Sequence, residues 1–544
     1  MTPKQLREQC DHLFANRSNL LLLWQEMAEN FYPERADFTL RRTIGDTFAE
    51  NLMTSYPLIC RRNLGDSIST MLRPTAKQWF HMTVQDDTRI DNEARAWLEW
   101  ATTLQRRAMY DRVTRFTRAA KEGDHDYATF GQGVLSVRLN KNRDALLFRC
   151  WHLRDCAWQE DESGELGIFA RKWRAKAIDL ERTFGRARLH RHVIERLEQA
   201  KPFDEFDVYH AVVPAYLYDE KANGKPFFSV YYDIANDHVI EAVPTWNREY
   251  FVPRWQTVSG SQYAYSPATV AALPDGRLLQ AMTYTLLEAG EKIVNPPIVA
   301  TQDVVRSDVG LYAGGITWVD RDYDERLGDA LRPLTQDARG MPLSAEMQRD
   351  CRAMLVEAFF LNKLTLPQRT PEMTAYEVGQ RVQEYIRGAL PLFEPMEIEY
   401  NGAMCDLTFE VLFRAGAFGS PFNIPKKLQG RDIRFRFESP LHDAIEAQKG
   451  AKFLEAKSYI AEAIALDQNA AAIPDAVTAL RDVLAGVGVP AKWIRSETTA
   501  QQVIDAQEAA KQSATMLAAM QQGSEVAANL GAARKDMAAA EMPA

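Results

Sequence analysis

The chain has 544 residues, 46% hydrophobic and 26% charged, which is too long for one hydrophobic core and predicts two to four structural regions. Its net charge of −9 argues against a tight nucleic-acid binder, since such proteins carry an excess of Lys and Arg. The most apolar run, Asn19–Trp24, is far too short to span a bilayer, and Met1–Glu8 has no apolar signal region, so a product made or assembled in the cytoplasm is expected.

Residues 1–120 read as helical. Leu20, Leu23, Met27, Ala28 and Phe31 share one face of a helix that Tyr32-Pro33 ends. Further helices are expected from about Phe48 to Met71 and from about Asn92 to Lys121, with a strand at Trp79–Val84 between them. From Gly131 to about Trp255 the period changes to two. Val134–Leu139, Leu146–Cys150 and Ile168–Trp173 read as strands, with a hairpin tip at Glu160–Glu165. Phe227–Tyr232 and His238–Val243 form a further antiparallel pair. A strong helix over Leu278–Val294 is closed by Asn295-Pro-Pro297. A short β module follows, with Ile298–Ala300 and Gly315–Val319 at its core and an acidic tip at Asp320–Glu325.

The next stretch, Met341 to Phe413, organises the rest. Met347, Cys351, Leu355, Ala358 and Leu361 recur at helical spacing. Pro367 and Pro371 then forbid helix, and Met373-Thr374-Ala-Tyr-Glu377-Val378 starts another. Thr374 is the expected N-cap, Glu377 completes a capping box, and Met373 staples onto Val378. Residues 362–373 are therefore a fixed break between two helices. Beyond it, Asp432–Glu438 alternates as a half-buried strand, 441–489 return to helix, and the chain after Ser496 is Ala- and Gln-rich.

Familiar catalytic chemistry is missing. No Walker A, HExxH, GxSxG or CxxC pattern occurs, and Gly131-Gln-Gly133 is too short to cradle phosphate. The six scattered cysteines predict reduced core thiols. Cys150-Trp-His152-Leu-Arg-Asp-Cys156 has no second ligand pair nearby, so neither metal nor cofactor is expected.

Several ordered blocks carry a family likeness. They are Trp24…Phe31-Tyr-Pro33, Asp66-Ser67…Met71-Leu-Arg-Pro74…Trp79-Phe80, Phe130-Gly131-Gln-Gly133 and Arg254-Trp255…Tyr265-Ser-Pro267…Ala272-Leu-Pro274. Asn295-Pro-Pro297, Phe359-Phe-Leu-Asn…Met373-Thr-Ala-Tyr-Glu-Val378, Ser439-Pro-Leu441 and Gly488-Val-Pro490 continue the series. Together they resemble the podovirus, T7-like head-to-tail connector (portal) proteins over residues 20–505.

The resemblance implies an α+β portal fold, mainly helical with a β-rich wing and a small β clip. It implies a ring, a dodecamer, at one capsid vertex, through which double-stranded DNA is packaged and ejected. Its partners would be terminase, then tail or adaptor proteins, with major capsid and scaffolding proteins around it, and no membrane. The implied parts are a wing (1–270), stem helix (271–297), clip (298–340), second stem helix (341–361) and channel loop (362–373). A wing-crossing helix with its returning strand (374–440), crown helices (441–495) and a tail (496–544) complete the subunit. The acidic balance fits a passage for DNA, because every neutralised phosphate adds a counterion-release term and a sticky channel would stall a moving duplex. Twelve helices about 10 Å across, side by side, leave a bore of roughly 28 Å, enough for a duplex. Asn362, Lys363, Thr365, Gln368 and Arg369 are the expected lumen-facing residues. Lys363 and Arg369 either touch phosphate in passing or pair with an acidic neighbour in the ring. The rivals are a structural tail or adaptor ring without DNA contact and a virion-associated enzyme.

Overall fold

The computed structural model describes residues 1–43, 45, 52–75, 77–85, 92–218, 223–300, 331–333, 340–364, 395–420 and 424–437, with scattered single positions elsewhere. The helices are α1 (Pro3–Asn16), α2 (Ser18–Phe31), α3 (Tyr56–Leu72), α4 (Asn92–Met109), α5 (Phe116–Phe130), α6 (Ala177–Phe184), α7 (Arg191–Glu198) and α8 (Ala215–Tyr218). They continue with α9 (Pro267–Val294), α10 (Gly340–Ala358), α11 (Leu361–Leu364) and α12 (Ala403–Arg414), the last preceded by a π-helical turn over Glu397–Gly402. The strands are β1 (Phe80–Val84), β2 (Val134–Leu139), β3 (Leu146–Trp151), β4 (Cys156–Glu160), β5 (Leu166–Lys176) and β6 (Glu205–Pro214). β7 (Phe227–Asp233), β8 (His238–Thr245), β9 (Tyr250–Phe251), β10 (Ile298–Ala300), β11 (Leu331–Pro333) and β12 (Ile433–Phe437) follow. Helix and sheet are mixed, so the chain is α+β.

The chain divides into two compact units, 1–80 with 104–418 and 437–441, and 81–103 with 419–436 and 442–544. In the second unit β1 pairs with β12. The Met82 amide donates to Thr102 Oγ1 at 3.0 Å, tying that strand to α4.

The first unit is built on a five-stranded antiparallel sheet in sequential order, β4-β5-β6-β7-β8. Period-two alternation sends Ala170, Tyr209, Ala211 and Val230 to one face, where Leu6, Cys10 and Leu13 of α1 cover them. The other face carries Trp158, Phe169 and Val212 against Trp24, Met27 and Phe130. Each such large side chain, fully buried, contributes about 1.5–3 kcal/mol. A three-stranded sheet, β3-β2-β9, stands beside it. The hairpin tip at Glu160–Glu165 is closed by Asp161, whose carboxylate accepts from the Ser163 and Glu165 amides.

Three helix boundaries differ from the periodicity. The helix expected from about Phe48 begins at Tyr56, with Pro57 in its first turn and residues 52–55 outside it. The span from Asn92 to Lys121 is broken, because Thr114 Oγ1 donates to the Met109 carbonyl at 2.6 Å and Arg115 takes a φ of 58°. The helix expected from Leu278 begins at Pro267, capped by Ser266 and passing through Pro274. The clip core at 315–319 apart from Trp318, the loop 365–373, the cap residues Thr374 and Glu377, and nearly all of the crown and tail lie outside the described residues.

Candidate functional site

Helices α9 and α10 form an antiparallel pair. Asp275 lies near Cys351 and Asp350, while Thr283 Oγ1 accepts from Gln348 Nε2 at 3.3 Å, so positions rise along one helix as they fall along the other. Strands β10 and β11, antiparallel through Val299 and Arg332, join their far ends. The near half of the pair is sunk into the fold at Ala268, Ala272, Leu273, Leu279, Cys351 and Leu355. The far half is not: Tyr284, Leu287, Ile293, Val294, Leu343 and Met347 are all exposed, Val294 to 87%. The apolar face that periodicity assigned to Met347 and Cys351 is thus covered within the subunit only from Cys351 onward.

The start of α9 is set by close backbone approach. Ser266 Oγ donates to the Ala128 carbonyl at 2.7 Å and accepts from the Thr269 amide, while Thr269 Oγ1 donates to the Thr129 carbonyl at 2.6 Å. Gly131 makes this approach available, since a Cβ there would lie 2.1 Å from the Tyr265 carbonyl carbon. Further along, Gln280 Oε1 accepts from the Met53 and Thr54 amides, and its Nε2 donates to the Thr54 carbonyl.

The end of α10 is set by two phenylalanines rather than by the prolines after it. Phe359 is fully buried, edge to face with Phe31 at 5.4 Å. Phe360 takes a φ of 55°, the left-handed region that an L side chain rarely adopts, and breaks the helix. Its ring meets Trp255 at 6.2 Å, Trp255 stacks on Tyr127 at 5.4 Å, and Tyr127 meets Tyr400 at 5.4 Å. Tyr400 belongs to the π-helical turn where the described chain resumes. One run of aromatic rings therefore joins the two sides of the 365–394 segment.

Tyr400 and Asn401 are held by charge as well. Arg73 ion-pairs with Asp124, both buried, donates from Nη1 to Asn401 Oδ1 at 2.8 Å, and lies 4.5 Å from the Tyr400 ring centroid. Burial alone would lower the Arg73 pKa, but the Asp124 carboxylate raises it, so the guanidinium stays charged. Glu399 accepts from the Arg254 amide and from its Nε. Beneath α2, Arg61 donates from Nε to the Phe31 carbonyl at 3.0 Å and covers the Tyr32 ring at 3.9 Å.

Of the residues singled out in the loop, Asn362 and Lys363 are described, and both are exposed on α11. The Lys363 amide donates to the Phe360 carbonyl at 2.9 Å, and its ammonium sits 5.5 Å from the Phe360 ring. Thr365, Gln368, Arg369, Thr374 and Glu377 lie outside the described residues. Sequence reasoning missed the aromatic run and the Arg73–Asp124–Asn401 cluster. The Phe359-Phe360 doublet before the polar loop was the available signal, because a helix face needs only one of two adjacent positions.

Among the described residues, no group of three or more His, Cys, Asp and Glu is arranged to hold a metal ion. No described helix is long and apolar enough to cross a membrane.

These features, a sheet unit carrying a helix pair whose far half is uncovered, accompany a match over nearly the whole chain. Residues 3–494 fit the model of the bacteriophage head to tail connecting protein family, and the chain belongs to that family. Its function is that of a portal-type connector in a phage virion. The chain is 24% identical over 460 residues to a probable portal protein of Bordetella phage BPP-1, covering 82% of this chain and 80% of the other. It is 22% identical over 455 residues to a portal protein of Salmonella phage epsilon15, covering 81% and 79%. A solved chain titled virion of native gene transfer agent particle matches at 9% identity and a TM-score of 0.36, covering 75% and 86%, a likeness too distant to define the fold.

Proposed function

We propose that copies of this chain close into a ring of twelve at one capsid vertex, around a bore that passes double-stranded DNA during packaging and ejection. The observation that supports this best is the α9–α10 pair. Its near half is buried in the fold, yet its far half exposes Tyr284, Leu287, Ile293, Val294, Leu343 and Met347. An isolated helix pair with apolar flanks is unfavourable in water, and like pairs set side by side around an axis would cover those flanks.

In this reading 1–270 is the wing, 271–297 and 341–361 are the stem, and 298–340 is the clip that meets terminase and later tail or adaptor proteins. Residues 362–373 are the channel loop, with Asn362, Lys363, Thr365, Gln368 and Arg369 toward the lumen. Thr374 and Glu377 cap the helix of the wing-crossing region 374–440, 441–495 form the crown and 496–544 the tail. Major capsid and scaffolding proteins surround the ring, which assembles in the host cytoplasm. No catalytic step is assigned to the chain. Electron-microscope class averages of the purified protein, viewed down the axis, test the reading. A twelve-fold ring with an open bore of roughly 28 Å is expected. Closed particles without a lumen, or monomers at every concentration tried, would overturn it.

A further inference from the structure

Strands β2 and β3 carry an unusual concentration of positive charge. Ser136 and Arg138 share a face by period-two alternation, and the Ser136↔Arg149 register puts Arg149 on that face too. Trp151 lies on it as well, its indole Nε1 donating to Ser136 Oγ at 2.8 Å. From β5, Arg171 enters between Trp151, 4.0 Å from its ring, and Trp173, at 5.8 Å. Arg171 is only 7% exposed. It is held by a chain of hydrogen bonds. Arg171 Nε donates to Tyr250 OH at 3.0 Å, Tyr250 OH is hydrogen-bonded to His210 Nδ1 at 2.7 Å, and His210 Nε2 is hydrogen-bonded to Ser229 Oγ at 2.8 Å. Burial and the nearby Arg171 keep His210 well below its usual pKa, so it is neutral and both its nitrogens are used.

This scaffold spends one Arg171 nitrogen on position and leaves the terminal nitrogens without a carboxylate. Among the described residues, none of Arg115, Arg138, Arg149 and Arg171 makes an ion pair. Burial and the charges of Arg138, Arg171 and Arg115 push the Arg149 pKa down. Among the described residues, the carboxyl coupled to Arg138 and Arg171 is Glu249, which is raised by burial despite them. Four guanidiniums against one carboxyl, with two tryptophan faces as walls, make a niche for a flat, two-oxygen anion. A carboxylate fits that shape and pairs with guanidinium through two parallel hydrogen bonds. Arg171 is recessed enough that a side chain reaches it and the backbone of a duplex does not.

The opposite face of the same sheet carries the complementary deficit. Leu135 points away from Ser136, toward Gly123 of α5, and α12 packs against β2. Met404, Thr408 and Val411 are buried, and the turn of the helix sends Asp406 and Glu410 outward. Neither makes an ion pair among the described residues. Asp406 is exposed with no cation opposing it, and Glu410, half-buried, has only Arg414 nearby, whose guanidinium covers Trp246. Arginines without an ion pair on one face and carboxylates without an ion pair on the other lie on opposite sides of the sheet and do not meet within one subunit. They meet when one copy's face is laid against the other face of the next, the head-to-tail geometry that closes rings.

We infer that the niche of Arg138, Arg149 and Arg171 is a contact between copies of this chain, and that it receives Asp406 and Glu410 of a second copy. This rests on the proposed ring and specifies one of its contacts. Native mass spectrometry of the full chain tests it, with circular dichroism to check each variant's fold. Wild-type rings are expected, whereas Arg138→Glu/Arg149→Glu and Asp406→Arg/Glu410→Arg each lower the assembled fraction at least tenfold at equal concentration. The chain carrying all four reversals recovers assembly. Doubles that assemble like wild type, or a folded fourfold variant that stays apart, overturn the contact while leaving the ring intact. If wild type itself forms no ring, the ring reading falls and this contact with it. Should the charge reversals unfold the chain, Arg149→Cys/Glu410→Cys under mild oxidation reads the same pairing. A ladder of covalent oligomers supports it, and its absence from assembled rings overturns it.

Discussion

Phe359 packs edge to face on Phe31 at 5.4 Å, which ties the end of α10 to the end of α2. Both rings are fully buried, so the helix that leads into the 365–394 segment has its last turn fixed against α2. Phe359→Ala should therefore lower stability by about 3–5 kcal/mol through lost contacts and the cavity left behind. Urea unfolding of the purified chain measures this, and an unchanged midpoint would count against the anchor.

The Arg73–Asp124 pair makes a contrasting prediction. Asp124→Ala strands a buried guanidinium and should cost about 3–5 kcal/mol, whereas Arg73→Met/Asp124→Leu, which removes both charges, should cost much less. A double-mutant cycle in urea reads the coupling. Additive losses would show that the two charges do not depend on one another.

Acid should weaken the link between the segment after α2 and β3–β4. Burial raises the Asp37 carboxyl, but hydrogen bonds from His152 and Arg154 outweigh it and bring the pKa from 3.8 to about 2. The folded value is the lower, so the stabilisation is complete above pH ~4 and is lost as pH falls toward 2, with about 2 kcal/mol at stake. Asp37→Asn should flatten the stability–pH curve over that window in titrated urea melts. A slope equal to wild type would remove Asp37 from the account.

Gly131 has a φ of 75° and a backbone neighbour where a Cβ would stand. Gly131→Ala should cost more than the ~1 kcal/mol of a left-handed alanine alone, because the backbone at Tyr265 and Ser266 must retreat. Thermal unfolding checks this. Gly164, with a φ of 78° and open space around it, is the control, and Gly164→Ala should cost only the conformational part.

For the loop, if Thr374 caps the following helix as proposed, Thr374→Ala should cost about 1 kcal/mol and loosen the loop without unfolding the subunit. Deleting 365–372 should leave ring assembly intact and reduce retention of packaged DNA, measured as nuclease-protected genome per particle. Retention at the wild-type level would refute a gripping role.

Much of the architecture was legible before any coordinate. Val134–Leu139 is a strand to the residue, because Leu135, Val137 and Leu139 alternate with Ser136 and Arg138. The Glu160–Glu165 tip, the β7–β8 pair and the strand at Ile433–Phe437 carry the same kind of local signal. The order of blocks from Trp24 to Pro490 also sufficed to indicate the family. The helix pair was visible in its periodicity, although its first helix begins at Pro267 and runs through Pro274 rather than beginning at Leu278.

What local pattern could not decide was where each apolar face finds its cover. Met347 and Cys351 look alike in a periodic reading, yet one is exposed and the other buried, since cover is supplied by residues distant in sequence. The same holds for Phe360 in a left-handed turn, for the aromatic run to Tyr400, and for arginines on β2, β3 and β5 gathered at one niche. Composition and periodicity dictate which surfaces must be hidden. Only packing between remote segments determines which are hidden and which stay exposed.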